Sequence, residues 1–194
     1  MFLFGKSWSK GARKAQPPKW KKRRSDNSFI GAAGVHYAAY KLTRKGMIAL
    51  PTVRNTPGTD LIVTSSDGQR NANIQVKTTQ HKTAKFWIIC STKKFEERKT
   101  TLGDKDYFLL LRPRRSDEPN CDEFEGFMLT AAEAIAEMQA HLDYWRKKKQ
   151  EPKFSLCIYV EKGPRHGDWP LPTDSQKIWR KRWQEFDLNK PVKG

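Results

Sequence analysis

Three polar residues of the chain, Asp60, Gln75 and Lys77, combine the side-chain types that act on phosphodiester bonds. A carboxylate and an amide oxygen are hard ligands that suit Mg²⁺ or Mn²⁺, so we expect Asp60 and Gln75 to bind such an ion. A nearby Lys can stabilise the charge that develops on a reacting phosphate or orient the attacking water, and Lys77 would have that role. Residue types alone leave open the alternative of ordinary polar side chains on a sheet face.

A predicted β-hairpin would bring these three residues together. Asp67-Gly68 is a typical hairpin turn, and apolar residues alternate with polar ones on both sides of it. Pairing that is symmetric about this turn places Asp60 opposite Gln75, with Lys77 on the same face. The other face then carries four apolar residues, Leu61, Val63, Ile74 and Val76. A slip of one residue would destroy both patterns.

The elements around the hairpin predict a mixed α/β fold, with a central sheet flanked by helices. Periodicity and capping signals predict helices over 27–45, 130–148 and 175–186. The second of these begins with Thr130 and Glu133 at the spacing of a capping box. Short apolar runs predict strands at 48–53, 59–64, 73–79, 86–90, 107–111, 124–129 and 154–160.

Asp60, fourteen further residues and then Gln75-Val76-Lys77 resemble the PD-(D/E)XK nuclease superfamily in its Q-x-K variant. The approach Pro57-Gly58-Thr59-Asp60-Leu61 is similar too, as is the preceding helix with Gly31-Ala-Ala-Gly34, Leu42 and Gly46. The resemblance spans about residues 28–112. It implies a restriction-endonuclease-like core and a Mg²⁺-dependent DNA nuclease in which Asp60, Gln75 and Lys77 form the catalytic site.

The chain departs from that superfamily in its first helix. Relatives carry a Glu there that faces the metal, whereas alignment on Gly34 and Leu42 places Val35 at this position. Val35 cannot bind a cation, and Gln75 already replaces a second carboxylate, so one formal negative charge would remain at the site. The adjacent His36 points about 100° away around a helix, and its use as a substitute ligand stays an open alternative.

The charge balance predicts a polyanionic partner. The 194 residues include 38 Lys plus Arg against 21 Asp plus Glu, which gives a net charge of +17 at pH 7. Nucleic acid is therefore the expected partner, with DNA ahead of RNA by the family resemblance. No apolar run reaches the length of a transmembrane helix, so we expect no membrane contact and a cytoplasmic protein. Cys90, Cys121 and Cys157 are far apart and predict free thiols rather than a disulfide or zinc site.

Residues 1–24 differ in composition from the rest of the chain. They contain nine Lys or Arg and no Asp or Glu, which predicts a disordered basic arm. Whether the arm grips phosphates or only aids solubility stays open. The residues expected to contact nucleic acid are Lys19, Lys21, Lys22, Arg23, Arg24, Arg54, His81 and Lys82.

Residues 25–194 are predicted to form a single domain that ends in an aromatic and basic helical extension, about 163–194. The extension carries Trp179, Trp183 and Phe186, which we expect to pack the last helix against the sheet. A base-stacking or protein-docking surface is the alternative for these rings.

Three functions remain open from the sequence. A Mg²⁺-dependent nuclease is placed first, because Asp60 and Lys77 occur in a compatible register. The alternatives are a catalytically degenerate module that binds nucleic acid without cutting it, and a subunit of a larger nucleoprotein assembly. A homodimer is compatible with cleavage of two strands, but no residue pattern demands it.

Overall fold

The computed structural model describes residues 26–53, 58–114, 123–148, 155–161 and 174–190. The basic arm, Arg54, Cys121 and most of the segment before the last helix lie outside these ranges. Within them, four helices and seven strands follow one another along the chain: α1 Asp26–Thr43, β1 Ile48–Pro51, β2 Leu61–Thr64, β3 Asn71–Thr78, β4 Phe86–Cys90, α2 Thr92–Thr101, β5 Asp106–Pro113, β6 Phe124–Thr130, α3 Ala131–Lys147, β7 Leu156–Tyr159 and α4 Ser175–Glu185.

Five strands form a mixed central sheet in the order β1-β2-β3-β5-β6. Strands β3 and β5 run parallel, and the other neighbours in this sheet run antiparallel. The parallel pair needs a crossover, and the chain between β3 and β5 contains β4 and α2. Strand β4 pairs with β7 in a separate two-stranded sheet. The predicted mixed α/β fold with a central sheet and flanking helices is therefore confirmed.

The β2–β3 hairpin has the register that its sequence predicts. Leu61 pairs with Ile74 and Thr64 with Asn71, so the pairing is symmetric about Asp67-Gly68. Gly68 has a φ of +72°, a left-handed conformation that glycine adopts without strain. The predicted apolar face is also confirmed, because its four residues are all buried: Leu61, Val63, Ile74 and Val76.

The two faces of the central sheet pack against different elements. Helix α1 covers one face, where its Ala38 and Leu42 join the apolar side chains of β2 and β3 in one core cluster. On the opposite face, Phe108 and Leu110 of β5 pack with residues of α2, α3 and the β4–β7 sheet in a second cluster. These elements cover the part of the face that β5 and β6 form. On that same face Leu50 of β1 and Ile62 of β2, which pair with each other, stay exposed.

Helix α4 anchors the C-terminal part of the described chain. It packs along β6, placing Trp179 in the cluster on one sheet face and Trp183 in the cluster on the other. Both rings are buried, as is Phe186. The packing role that the sequence analysis favours for these aromatic residues is therefore confirmed.

Helix α3 begins as predicted. The Thr130 hydroxyl accepts a hydrogen bond from Glu133 N, and the Glu133 carboxylate accepts one from Thr130 N, which is a complete capping box. Helix α2 is absent from the sequence prediction. Phe95 is its single buried residue, so this helix lacks the apolar stripe on which helix prediction depends.

The sequence analysis also addresses the cysteines and the possibility of membrane-spanning helices. Cys90 and Cys157 are free and buried, as predicted. Among the described residues, no helix has both the length and the apolar character needed to cross a membrane.

Candidate functional site

The turn before β2 positions Asp60. Gly58 has a φ of +80°, which turns the chain sharply just ahead of the strand. Thr52, just after β1, holds this turn with two hydrogen bonds: its hydroxyl donates to Thr59 O (2.7 Å) and its N–H donates to Asp60 O (3.0 Å). The backbone of Asp60 is thus restrained by the neighbouring strand, on its side away from β3.

Asp60 and Gln75 are neighbours, as the predicted register requires. Asp60 N donates to Ile74 O (3.0 Å), and Asp60 Oδ2 accepts from Val76 N (2.8 Å), so these two bonds bracket Gln75. The carboxylate caps a backbone N–H of β3 at the point where β2 begins. One oxygen of Asp60 therefore already has a structural partner.

Gln75 has a partner that the sequence analysis does not predict. Arg98 of α2 donates from Nη1 to Gln75 Oε1 at 2.7 Å, and the Gln75 side chain is buried. The Arg98 guanidinium also lies 6.0 Å from the centre of the Phe108 ring. The Gln75 oxygen that the sequence analysis assigns to a metal ion therefore accepts a hydrogen bond from a guanidinium group. The sequence analysis misses Arg98 because it does not predict the helix that carries this residue.

Lys77 lies two residues further along β3, on the same face as Gln75. Burial lowers the pKa of Lys77 below its ordinary value, and the positive charges of Arg98 and Lys94 act in the same direction. Asp60 opposes this effect, which places its carboxylate within electrostatic range of the ammonium group. Asp60, Gln75 and Lys77 therefore lie close together at this sheet face, as the hairpin register requires, and their roles at the site stay predictions.

The donors gathered here do not fit a divalent metal ion in this arrangement. Mg²⁺ prefers several hard oxygen ligands with net negative charge, whereas one oxygen of Asp60 and the amide oxygen of Gln75 already accept hydrogen bonds. The described residues contain no group of three or more His, Cys, Asp or Glu side chains that could hold a metal ion. Positive side chains outnumber the one carboxylate at the site.

The first helix adds no ligand to this set. Val35 is half-buried and packs against the apolar cluster between α1 and the sheet. Its neighbour His36 is exposed. On the open sheet face beside the site, Ile48, Leu50 and Ile62 are 42 to 57% exposed and form an aliphatic surface on β1 and β2.

Two predicted nucleic-acid contacts lie near the site in sequence. His81 and Lys82 lie three and four residues after the end of β3 and are exposed. The remaining ones, Lys19, Lys21, Lys22, Arg23, Arg24 and Arg54, lie outside the described residues.

A groove of about 530 Å³ lies elsewhere, between α1, β6 and α4. Its lining holds four positive residues, Lys41, Lys45, Arg114 and Arg180, against two carboxylates. Lys41 and Arg114 share Glu123, and Arg180 pairs with Glu125. The groove is therefore a second positive surface of the described chain.

Comparison with known proteins finds similarity to a solved structure. No family model matches the sequence, and neither does any curated protein. Among solved structures, the chain is similar to the bacterial homing endonuclease I-Ssp6803I, with a TM-score of 0.43 and 11% identity. That similarity covers 81% of this chain and 90% of the other. It is too loose to transfer residue roles, which come here from the contacts of this chain alone.

Proposed function

We propose that this protein is a nucleic-acid-binding module with a nuclease-type site, and that DNA is its principal partner. The observation that carries the proposal is the convergence of Asp60, Gln75 and Lys77 beside an uncovered part of the sheet. A half-buried ammonium group beside cationic side chains attracts phosphate oxygens more strongly than a fully solvated one does. The whole chain has a net charge of +17, which also favours nucleic acid as the partner.

Salt dependence of binding tests this proposal. Affinity for a fluorescein-labelled DNA duplex and for an RNA duplex would be measured by anisotropy across a range of salt concentrations. Because each neutralised phosphate adds about 0.9 to the slope of log affinity against log salt, Lys77→Gln should lower that slope by about 1. Lys181→Gln, on the exposed side of α4 at the other edge of the sheet, is the matched control and should leave the slope unchanged.

Deletion of residues 1–24 separates the arm from the site. Loss of nine positive charges should weaken binding and reduce the slope further if the arm contacts phosphates, and an unchanged slope would make it a tail only. Wild-type protein that binds no nucleic acid, or binds it with an affinity insensitive to salt, would refute the proposed function as a whole.

Metal-dependent hydrolysis of DNA is the second candidate, which the shared position of Asp60, Gln75 and Lys77 favours and the contact of Arg98 with Gln75 opposes. Cleavage of plasmid DNA in the presence of Mg²⁺ or Mn²⁺ tests it directly. A nuclease should lose cleavage in Lys77→Ala while keeping its fold. If Val35→Glu cleaves and the natural chain does not, the chain is a silenced relative of nucleases. If neither cleaves while both bind DNA, the binding role remains and hydrolysis is excluded.

A further inference from the structure

Arg98 supplies a positive charge at the place where a nuclease-type site would hold a metal ion. Its Nη1 atom lies 2.7 Å from Gln75 Oε1, which is hydrogen-bond distance for a charged donor. Gln75 is 8% exposed, so this contact is largely withdrawn from water. A metal ion on the same oxygen would lie beside the guanidinium, whose positive charge repels it.

The charge around this contact is positive. Lys94 and Arg98 both act electrostatically on Lys77, and Asp60 is the carboxylate that opposes them. Three positive charges against one negative charge repel a divalent cation and attract an anion. Lys94 and Arg98 are one helical turn apart on α2, so their side chains project from the same face of that helix.

The cationic groups retain donors for a ligand. A guanidinium carries five N–H donors, and within the described residues the Arg98 side chain makes one hydrogen bond, to Gln75. In the same part of the chain Lys77 Nζ takes part in no hydrogen bond. Arg98 can therefore hold Gln75 and also offer its second nitrogen to an oxygen anion.

The surroundings leave a path for a large polyanion. The sheet face beside the site is uncovered over β1 and β2, where Leu50 is 57% exposed. This open face is aliphatic, so the contacts to a nucleic-acid backbone would come from its border, where Lys77 and α2 supply positive charge. A deep pocket would admit a small anion alone, whereas this open surface admits a chain.

We propose that Lys77, Lys94 and Arg98 bind one backbone phosphate of nucleic acid without a divalent metal ion, with Arg98 taking the place of the metal. This inference rests on the proposed function and adds to it the way in which the phosphate is held. Asp60 then serves to orient β3 through its bond to Val76 N instead of binding a cation.

Two measurements on the full chain test this proposal. The first is the affinity for labelled duplex DNA with EDTA and with Mg²⁺, compared among wild type, Arg98→Gln, Lys94→Gln and the control Lys181→Gln. Loss of a charged hydrogen bond should weaken binding by Arg98→Gln about tenfold, with a salt slope lower by about 1. The second measurement is Mn²⁺ binding followed by electron paramagnetic resonance without DNA, comparing wild type with Asp60→Asn.

The expected result is that wild type binds DNA equally well in EDTA, that Arg98→Gln and Lys94→Gln bind more weakly than the control, and that Mn²⁺ binding does not depend on Asp60. The inference is overturned if DNA binding requires a divalent ion, if Arg98→Gln binds like Lys181→Gln, or if Asp60→Asn abolishes a Mn²⁺ site. In each of these cases wild type still binds DNA, so the proposed function survives. Circular dichroism of each variant checks that it is folded.

Discussion

Gly34 of α1 lies directly against Thr78 of β3. A Cβ atom at position 34 would lie 2.9 Å from Thr78 Cβ and 3.0 Å from Thr78 Cγ2, and it would overlap Thr78 Oγ1. The Thr78 hydroxyl is buried and has no hydrogen-bond partner among the described residues. Thr78 follows Lys77, so this close approach sets the distance between α1 and the strand that carries the site.

Gly34→Ala should therefore destabilise the protein, although alanine is the better helix former. Overpacking costs about 1 to 3 kcal/mol. Gly31 is the matched control, because a Cβ there meets nothing within 4 Å, and Gly31→Ala should stabilise the helix by about 0.5 to 1 kcal/mol. Urea unfolding of both variants measures the difference. Equal stability of the two would show that α1 does not approach β3 so closely. Adding Thr78→Ala to Gly34→Ala removes two of the close atoms and should recover part of the loss.

Arg112 is the most deeply buried charge in the described chain, at 2% exposure. Its guanidinium binds Glu125 and Glu161, both at 2.7 Å, and donates to Ala84 O at 2.6 Å, which ties β5 to β6 and to the segments flanking β4 and β7. Loss of Arg112 takes this cation from Glu161 and leaves Glu125 with Arg180, and the two carboxylates are only 23% and 19% exposed. Arg112→Met should lower the free energy of unfolding by about 3 to 5 kcal/mol.

Arg114 provides the control for Arg112, two residues along the same segment. It pairs with Glu123 at 2.8 Å, but its side chain is 62% exposed. A solvated ion pair of this kind contributes little, so Arg114→Met should change stability by no more than about 1 kcal/mol. Thermal and urea unfolding of the two variants distinguish them. Similar losses in both would mean that the Arg112 network is not the link described here.

Lys77→Met should make the protein more stable at neutral pH while it weakens binding to nucleic acid. Folding lowers the pKa of Lys77 below 10.5, chiefly through burial, so the charged form is disfavoured in the folded state. Replacement by an apolar side chain of similar length should add about 1 kcal/mol, which is about 2 to 4 °C in Tm.

The pH dependence of that difference follows from proton binding. Between the lowered pKa of folded Lys77 and 10.5, the unfolded chain binds more protons than the folded chain, so wild-type stability rises with pH. The advantage of Lys77→Met should therefore be largest below the folded pKa and shrink as pH approaches 10.5. Calorimetric scans of both proteins over this range measure it. A constant or growing difference would contradict a lowered pKa.

The parts of the site that the sequence predicts are those set by local pairing. Asp60, Gln75 and Lys77 belong to one hairpin, where an alternating pattern and a two-residue turn determine which side chains share a face. Arg98 depends on other information. It is 23 residues from Gln75 in sequence, and it reaches the site because the crossover between β3 and β5 folds α2 back over the sheet. Helix α2 buries a single residue, Phe95, so the sequence has no periodic apolar pattern that predicts this helix.

Glu133 joins the start of α3 to α4 and should govern part of the acid stability. Its carboxylate accepts hydrogen bonds from Thr130 N (2.8 Å) and from both terminal nitrogens of Arg182, the Nη2 contact being 2.9 Å. Burial alone would raise its pKa, but these hydrogen bonds outweigh burial and hold the pKa of Glu133 below 4.5.

A depressed carboxyl pKa contributes stability that is present above the unfolded value and is lost as the pH falls through the folded value. Glu133→Gln should therefore cost about 2 kcal/mol at neutral pH, through loss of the charged hydrogen bonds and weakening of the cap. Its stability should also fall less steeply than that of wild type on acidification below pH 4.5. Glu185→Gln, an exposed residue of α4 that faces Lys181 at 3.9 Å, is the control and should behave like wild type. Urea unfolding across the acid range gives both quantities, and parallel acid profiles for Glu133→Gln and wild type would show that the carboxylate does not hold α4 in place.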